Sequence, residues 1–401
     1  MRDDSMLSTA QATASEAPSD KLPTVLWPLL FGNFVIGSGV MIVPGALNDI
    51  STSLEISVAT AGQLISAGAL LMCLGAPLLA AVVAGWDRRR LLALSMLWYG
   101  VFHLACIAAS SFAALLPLRV VALIAPAIFT PQAAACVGLL VPPDQRGRAI
   151  TFVFLGWSIA SVLGLPMGAY VGGTLGWRSA FALVGIMSLV SALWVWRRMP
   201  DGVKPPALSR AAWVQTLGSR ALMLCVLVTV LYSAGQFVVL SYMAPYFKAK
   251  IDITPGQLGL LFMWFGVFGF VGNMLMSKRI DKIGAPRAVM LGVTCMAVTL
   301  LVFPLATSLV LAAIVIIPWG LGCFSSNSAQ QARLVGIAAP LASASIALNS
   351  SAMYAGQAIG AASGGWMIAQ GSMDSLHWVG FVILLASMAV SAWASTFSHG
   401  R

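Results

Sequence analysis

Charge is what this 401-residue chain has least of: 8% of its residues are Asp, Glu, Lys or Arg, against roughly 25% in an ordinary soluble domain. A soluble globular protein of this length is excluded. Acidic residues are the scarcest class, 12 against 22 basic ones. Every Asp and Glu falls in the N-terminal tail, in a short polar segment or near the end of an apolar run. That removes the paired carboxylates of an acid–base enzyme. The six cysteines are scattered through apolar runs without CxxC or metal-ligand spacing, and the three histidines, His103, His377 and His399, stand apart. A disulfide framework and a metal centre are therefore not expected. With no Gly-rich nucleotide loop either, the chain reads as a non-enzyme without cofactor.

What it has in abundance is apolar length. Hydrophobic residues make up 59% of the chain, and the mean hydropathy is +0.92. Apolar runs of about 20 residues recur from end to end, and a run of that length spans a bilayer as a helix, since lipid offers the backbone no hydrogen-bond partners. The pattern predicts an all-α polytopic membrane protein with twelve transmembrane helices. Spans 1 to 12 are expected near 24–47, 57–84, 91–110, 113–140, 149–172, 178–196, 220–247, 255–277, 287–306, 308–331, 341–368 and 376–396.

The net charge of +10 could point to nucleic acid, but its distribution does not. Arg88–Arg89–Arg90, Arg146 with Arg148, Arg197–Arg198, and Lys278–Arg279 with Lys282 and Arg287 all sit between apolar runs. Placing these clusters inside puts both termini in the cytoplasm. The exceptions are Arg178, Lys248 and Lys250 on outer loops and Arg119 within span 4. The expected partners are the lipid bilayer and a small-molecule substrate, with no nucleic acid, and the chain is read as a monomer. Residues 1–22 are polar and rich in Ser, Ala and Thr, which predicts a disordered cytoplasmic tail. A six-helix half over 23–197, a central cytoplasmic loop over 198–219 carrying Pro200, Pro205 and Pro206, and a second half over 220–397 complete the organisation.

The halves share a sequence trace. At an offset of 192, GWSIASVLGLPMGAYVGG (156–173, span 5) lies over LNSSAMYAGQAIGAASGG (348–365, span 11), with seven of eighteen positions identical. Both carry G-x3-G-A-x2-G-G: Gly164, Gly168, Gly172 and Gly173 in one, Gly356, Gly360, Gly364 and Gly365 in the other. Small residues at four-residue spacing let helix backbones approach closely in lipid. Two readings stay open: static packing, or a thin face across which the two halves rock.

Twelve spans in two parallel repeats resemble the major facilitator superfamily. Gly164-x-Pro166-x-Gly168-x3-Gly172-Gly173, followed by Gly176-Trp177-Arg178, looks like the antiporter motif of its bacterial drug and sugar efflux branch. The loop after span 8, with Gly272-Asn273, Arg279-Ile280-Asp281-Lys282-Ile283-Gly284 and Arg287, resembles the family's cytoplasmic loop motif. The resemblance implies that Asp281 caps and pairs with neighbouring helix ends, with Lys282 beside it. In the first half, AVVAGWDRRRLL places Ala84 where the Asp is expected and Asp87, followed by Arg88, where a Gly is expected. Arg119, two turns into span 4, matches an Arg associated with proton coupling, although Ala122-Leu123 replaces the usual Gln-Gly. A charge at that depth costs at least ~2.5 kcal/mol and marks a pathway or a partner, unless the side chain snorkels to the interface. In span 1, GSGVMIVPGALNDIS places Val40 where the efflux branch carries a Glu, and Asp49 at the outer end. Asp49 and His103 are then the titratable candidates for coupling, His103 equally readable as a packing residue.

Polar residues for a central cavity are Asn33 and Gln132 in the first half, and Tyr232, Ser233, Gln236, Asn327, Gln330, Gln331, Asn349, Ser350 and Tyr354 in the second. Uncharged amides, hydroxyls and aromatics suit a neutral or weakly cationic organic solute. The expectation is a transporter in a bacterial cytoplasmic membrane that exports a small organic molecule by alternating access in exchange for protons. An importer or facilitator of the same fold, or a non-transporting membrane sensor, is the alternative.

Overall fold

The computed structural model describes residues 23–83, 85–142, 145–204 and 210–398. The expected tail over 1–22, Ala84, Pro205, Pro206 and His399 lie outside them. Among the described residues every regular element is a helix. Spans 1 to 3 are α1 (Leu26–Ser53), α2 (Val58–Val82) and α3 (Arg88–Ile107), and span 4 is α4 (Phe112–Ala122) plus α5 (Ile124–Leu140). Spans 5 and 6 are α6 (Arg146–Leu175) and α7 (Trp177–Arg198). A short α8 (Arg210–Gly218), inside the segment read as loop, leads to α9 (Arg220–Leu240) and α10 (Met243–Ile251), which together make span 7. Spans 8 and 9 are α11 (Pro255–Ile283) and α12 (Ala285–Val302), and span 10 is α13 (Leu309–Val315) plus α14 (Ile317–Ile337). Spans 11 and 12 are α15 (Ala342–Ala369) and α16 (Leu376–Ser398). The ends that carry the Arg and Lys clusters form one end of the bundle, here the basic end; the other is the far end.

Spans 4, 7 and 10 are not the continuous helices expected. Two of the breaks have a shared cause. Pro126 and Pro318, 192 residues apart like the glycines, lack the N–H that the carbonyl four residues back would have bonded. The helix breaks just before each, at Leu123 and at Ile316. Side chains from the preceding span fill the gaps. Trp98 of span 3 donates its indole N–H to the Val121 carbonyl at 2.9 Å. Thr299 of span 9 donates to the Val315 carbonyl and accepts from the Trp319 N–H, both at 3.0 Å, bridging a helical bond that the break leaves open.

Among the described residues, eleven helices are long and apolar enough to cross a membrane on length and composition alone. Span 11 is long enough, at 28 residues, but carries Asn349, Ser350, Ser351, Tyr354 and Gln357. It is sandwiched between α9 of its own half and α2 of the other, which shields those polar groups from lipid. The lipid-facing surface is the reverse: Leu70, Leu74 and Leu78 make an exposed apolar stripe along span 2.

The small-residue stripes lie inside each half. A methyl group added at Gly168 would strike the Ile42 carbonyl of span 1, and at Gly164 it would sit 3.1 Å from Ser38 and Met41. The repeat is faithful, since the same addition at Gly360 would strike the Ala234 carbonyl of span 7, and at Gly364 it would lie 2.7 Å from the Val238 carbonyl. Gly172 meets Ala46 at 2.8 Å. The face between the halves uses the last glycine of the span 5 motif, Gly173, together with positions outside the stripes. Span 5 meets span 8 through Gly173 against Pro255 (2.6 Å) and Ser161–Val162 against Gly266 (2.6–2.7 Å), while the Pro166 carbonyl lies 3.6 Å from a Cβ at Gly259. Tyr242, in the break of span 7, wedges its ring between Gly62 of span 2 and Gly364–Gly365 of span 11. Its hydroxyl donates to the Ala361 carbonyl at 2.7 Å. The far ends of the two halves are thus packed on one another.

Candidate functional site: a buried arginine–histidine pair

Arg119 occupies the last turn of α4, one turn before the proline-induced break. A cation is favoured there, because the last carbonyls of a helix carry partial negative charge. Its side chain is 2% exposed and does not reach an interface. One guanidinium nitrogen lies 2.9 Å from His103 Nε2 on span 3; another donates to the Gly39 carbonyl of span 1 at 2.7 Å. The Phe181 ring of span 6 lies 5.7 Å away, and the Arg119 Nε has no hydrogen-bond partner. No carboxylate among the described residues faces it, so the charge is balanced by dipoles, a ring and a histidine.

The tautomer of His103 follows from its partners. Its Nδ1 lies 2.8 Å from the Tyr99 carbonyl, and a carbonyl only accepts, so Nδ1 carries the proton. Arg only donates, so Nε2 is the bare acceptor. His103 is neutral in this arrangement. A proton at Nε2 would set N–H against N–H and cation against cation, and the contact would break. Tyr99 completes the cluster by donating to the Ile36 carbonyl at 3.3 Å. Spans 1, 3, 4 and 6 therefore meet around the Arg119 guanidinium.

Asp49 sits elsewhere. Its carboxylate accepts from the backbone N–H of Trp177, the first residue of α7, where Gly176 turns the chain in a single residue at φ +85°. It is a helix cap between spans 1 and 6. Arg178 clamps the same corner, donating to the Ile107 and Ala109 carbonyls and to Ser53.

The cavity candidates are largely knitted together. Thr229 donates to Asn349 at 2.6 Å and Asn349 to Asn327 at 3.1 Å, a ladder joining spans 7, 11 and 10. Tyr232 donates to the Met353 sulfur, and Gln330 to the Cys225 carbonyl. Gln236 accepts from the Trp319 indole at 3.4 Å, and Asn33 accepts from Thr130 at 2.8 Å. Gln132 and Tyr354 make no hydrogen bond among the described residues, and Tyr354 comes near Tyr99 of the other half.

At the basic end the first-half loop is the one engaged. Asp87 caps α3 through the Arg90 N–H and accepts from the Gly202 N–H at 2.6 Å. Arg88 donates to the Val83 and Trp86 carbonyls, and Arg89 pairs with Asp201 at 2.6 Å. Asp281, expected to pair with neighbouring helix ends, is exposed and without a partner among the described residues, as is Lys282 beside it. Sequence reasoning missed Arg333 of span 10. It is 3% exposed and donates to Ser391 and Ser395 of span 12. It lies two residues past the expected end of span 10, and the helix continues to Ile337.

The profile of the Major Facilitator Superfamily matches residues 29–249 and 225–398. The chain belongs to that superfamily. It is 28% identical over 358 residues to a probable sugar efflux transporter of Helicobacter pylori, covering 88% of this chain and 91% of that one. A chloramphenicol resistance protein of Streptomyces lividans is 30% identical over 265 residues, 65% of this chain and 68% of the relative. In fold it resembles the D-xylose–proton symporter, with a TM-score of 0.72, 17% identity and coverage of 91% and 96%. A bacterial homologue of the lysosomal transporter Spinster, in an inward-facing conformation, aligns at a TM-score of 0.71 and 17% identity, covering 93% and 95%. Members of this superfamily are transporters, with twelve spans in two six-helix repeats.

Proposed function

We propose that this protein exports a small organic molecule, drug-like or sugar-like, across a bacterial cytoplasmic membrane by alternating access, and that protons drive it through the Arg119–His103 pair. The observation that carries the coupling is the bare Nε2 of a buried His103 facing a buried guanidinium. Protonation of that atom expels Arg119 and loosens its grip on the Gly39 carbonyl of span 1. Span 1 is also the helix against which span 5 packs, and span 5 touches the other half. A proton arriving at His103 therefore acts on the helices that must move. Export is supported by the efflux-named relatives and by the glycine motif of span 5. Tyr354 and Gln132, with their hydrogen-bonding groups free, are the proposed substrate contacts, and both termini are proposed to be cytoplasmic.

The test is transport in inverted membrane vesicles against a panel of drugs and sugars, with an imposed pH gradient. Uptake of a panel member should require the gradient. His103→Gln keeps an acceptor but cannot titrate, so it should retain substrate binding and lose the response to the gradient. Arg119→Ala should lose transport. A second reading has its own observation: no described carboxylate lies at membrane depth, which fits a facilitator. Gradient-independent equilibration by the wild type would establish that reading instead.

A further inference from the structure

At the far end of the second half lies a cavity of about 180 Å³, lined by Tyr246 and Lys250 of span 7, Pro304, Ala306 and Thr307 after span 9, and Asp374 and His377 at the start of span 12. All seven residues come from one half, so the cavity does not depend on how the halves are disposed. His377 is 4% exposed, yet neither ring nitrogen has a well-formed hydrogen bond. The Asp374 backbone comes near the ring without closing such a bond, and a buried imidazole left in that state gains from an occupant that supplies partners. The ring is held by aromatic contacts instead, stacked on Phe303 at 6.4 Å and tilted against Trp378 at 5.1 Å.

The remaining polar groups decide what the occupant is. Lys250, the Tyr246 phenol, the Thr307 hydroxyl and an N–H of His377 can all donate. The single carboxylate, Asp374, is already engaged with Lys250 at 2.8 Å. An ammonium has three protons, and one ion pair leaves two. The wall is thus rich in donors, and its one formal negative charge is spoken for. We propose that this cavity binds a small carboxylate, its oxygens taken by Lys250, Thr307 and His377 with Tyr246 closing one side. The space accommodates a solute of a few non-hydrogen atoms, and the site stands whether or not the transport reading above is right.

The chain has three histidines, so the imidazole resonances of histidine-labelled, full-length protein in detergent are few enough to follow individually. His377→Asn assigns the relevant one. Sodium acetate is the probe, with sodium chloride at equal ionic strength as the control. The expected result is a saturable acetate-dependent shift of the His377 resonance alone, weakened about tenfold or more by Lys250→Met, as the loss of a charge-assisted bond predicts. Should Lys250→Met not fold, Thr307→Val, which removes a donor at near-constant volume, must weaken the response as well. No saturable shift, an equal shift with chloride, or undiminished affinity in the folded variant would each overturn the proposal.

Discussion

A single residue, Arg119, illustrates how a charge is kept inside a bilayer without a counter-ion. Its guanidinium is shared between a carbonyl, an imidazole and a ring face. Each accepts a hydrogen bond or lends electron density, and none adds the cost of burying a second charge. Arg119→Lys keeps the charge but loses the fork that reaches Gly39 and His103 together, so it should recover only part of the transport lost in Arg119→Ala. Asp49 is the opposite case, a titratable group already employed as a cap. Asp49→Ala should cost about 1 kcal/mol of stability, typical of a lost N-cap, seen as a lower thermal midpoint. Transport per folded molecule and its pH response should be unchanged. Loss of the pH response at normal stability would return Asp49 to the coupling path. The charge of Arg119 was legible in the sequence. Its partner was not, because His103 lies on another span and became an acceptor only through the fold.

At the level of helices, the glycine stripes and the interhelical face are different surfaces of the same segments. Leucine at Gly168 or at Gly360 must overpack one half against itself, at about 1–3 kcal/mol, in whatever conformation the halves adopt. Stability should fall while the accessibility of cysteines at the two mouths stays in its original ratio. Gly173→Leu instead pushes on Pro255 across the halves. A penalty of that size borne only by the conformation closed at the far end would move the equilibrium about 5- to 150-fold toward opening there. Cysteine labelling near Gly62 and Gly365 should rise accordingly, and Tyr242→Ala, which removes the wedge, should act in the same direction. Unchanged labelling in Gly173→Leu would show that the contact carries no gating energy. The repeat was visible as an offset of 192. Which partner each glycine faces was not, because consecutive residues of a helix, such as 172 and 173, point to neighbours about 100° apart.

For the whole molecule, the proposed orientation rests on the positive charge gathered at one end. Cysteines introduced at Asp87 and Lys282 should react only with reagents inside the cell, and one at Asp374 only from outside. Outside labelling at Asp87 would invert the proposed topology. Lys250 and Asp374 also form an ion pair at the far end, so the basic residue there is neutralised in place and adds little to the inward bias of charge.

Hydropathy by itself determined the membrane class and the number of spans, because lipid forces every apolar run of sufficient length into a helix, and the glycine pattern at an offset of 192 marked the twofold repeat. Charge placement also marked Arg119, since burying a charge has a cost visible in any sequence. Only the tertiary structure decided that Asp49 is a cap, that His103 presents a bare nitrogen to Arg119, that most cavity amides are hydrogen-bonded to a neighbouring span, and that Asp87 is engaged while Asp281 has no partner among the described residues. Those outcomes depend on which groups from distant spans meet within about 3 Å, a distance that local periodicity does not encode.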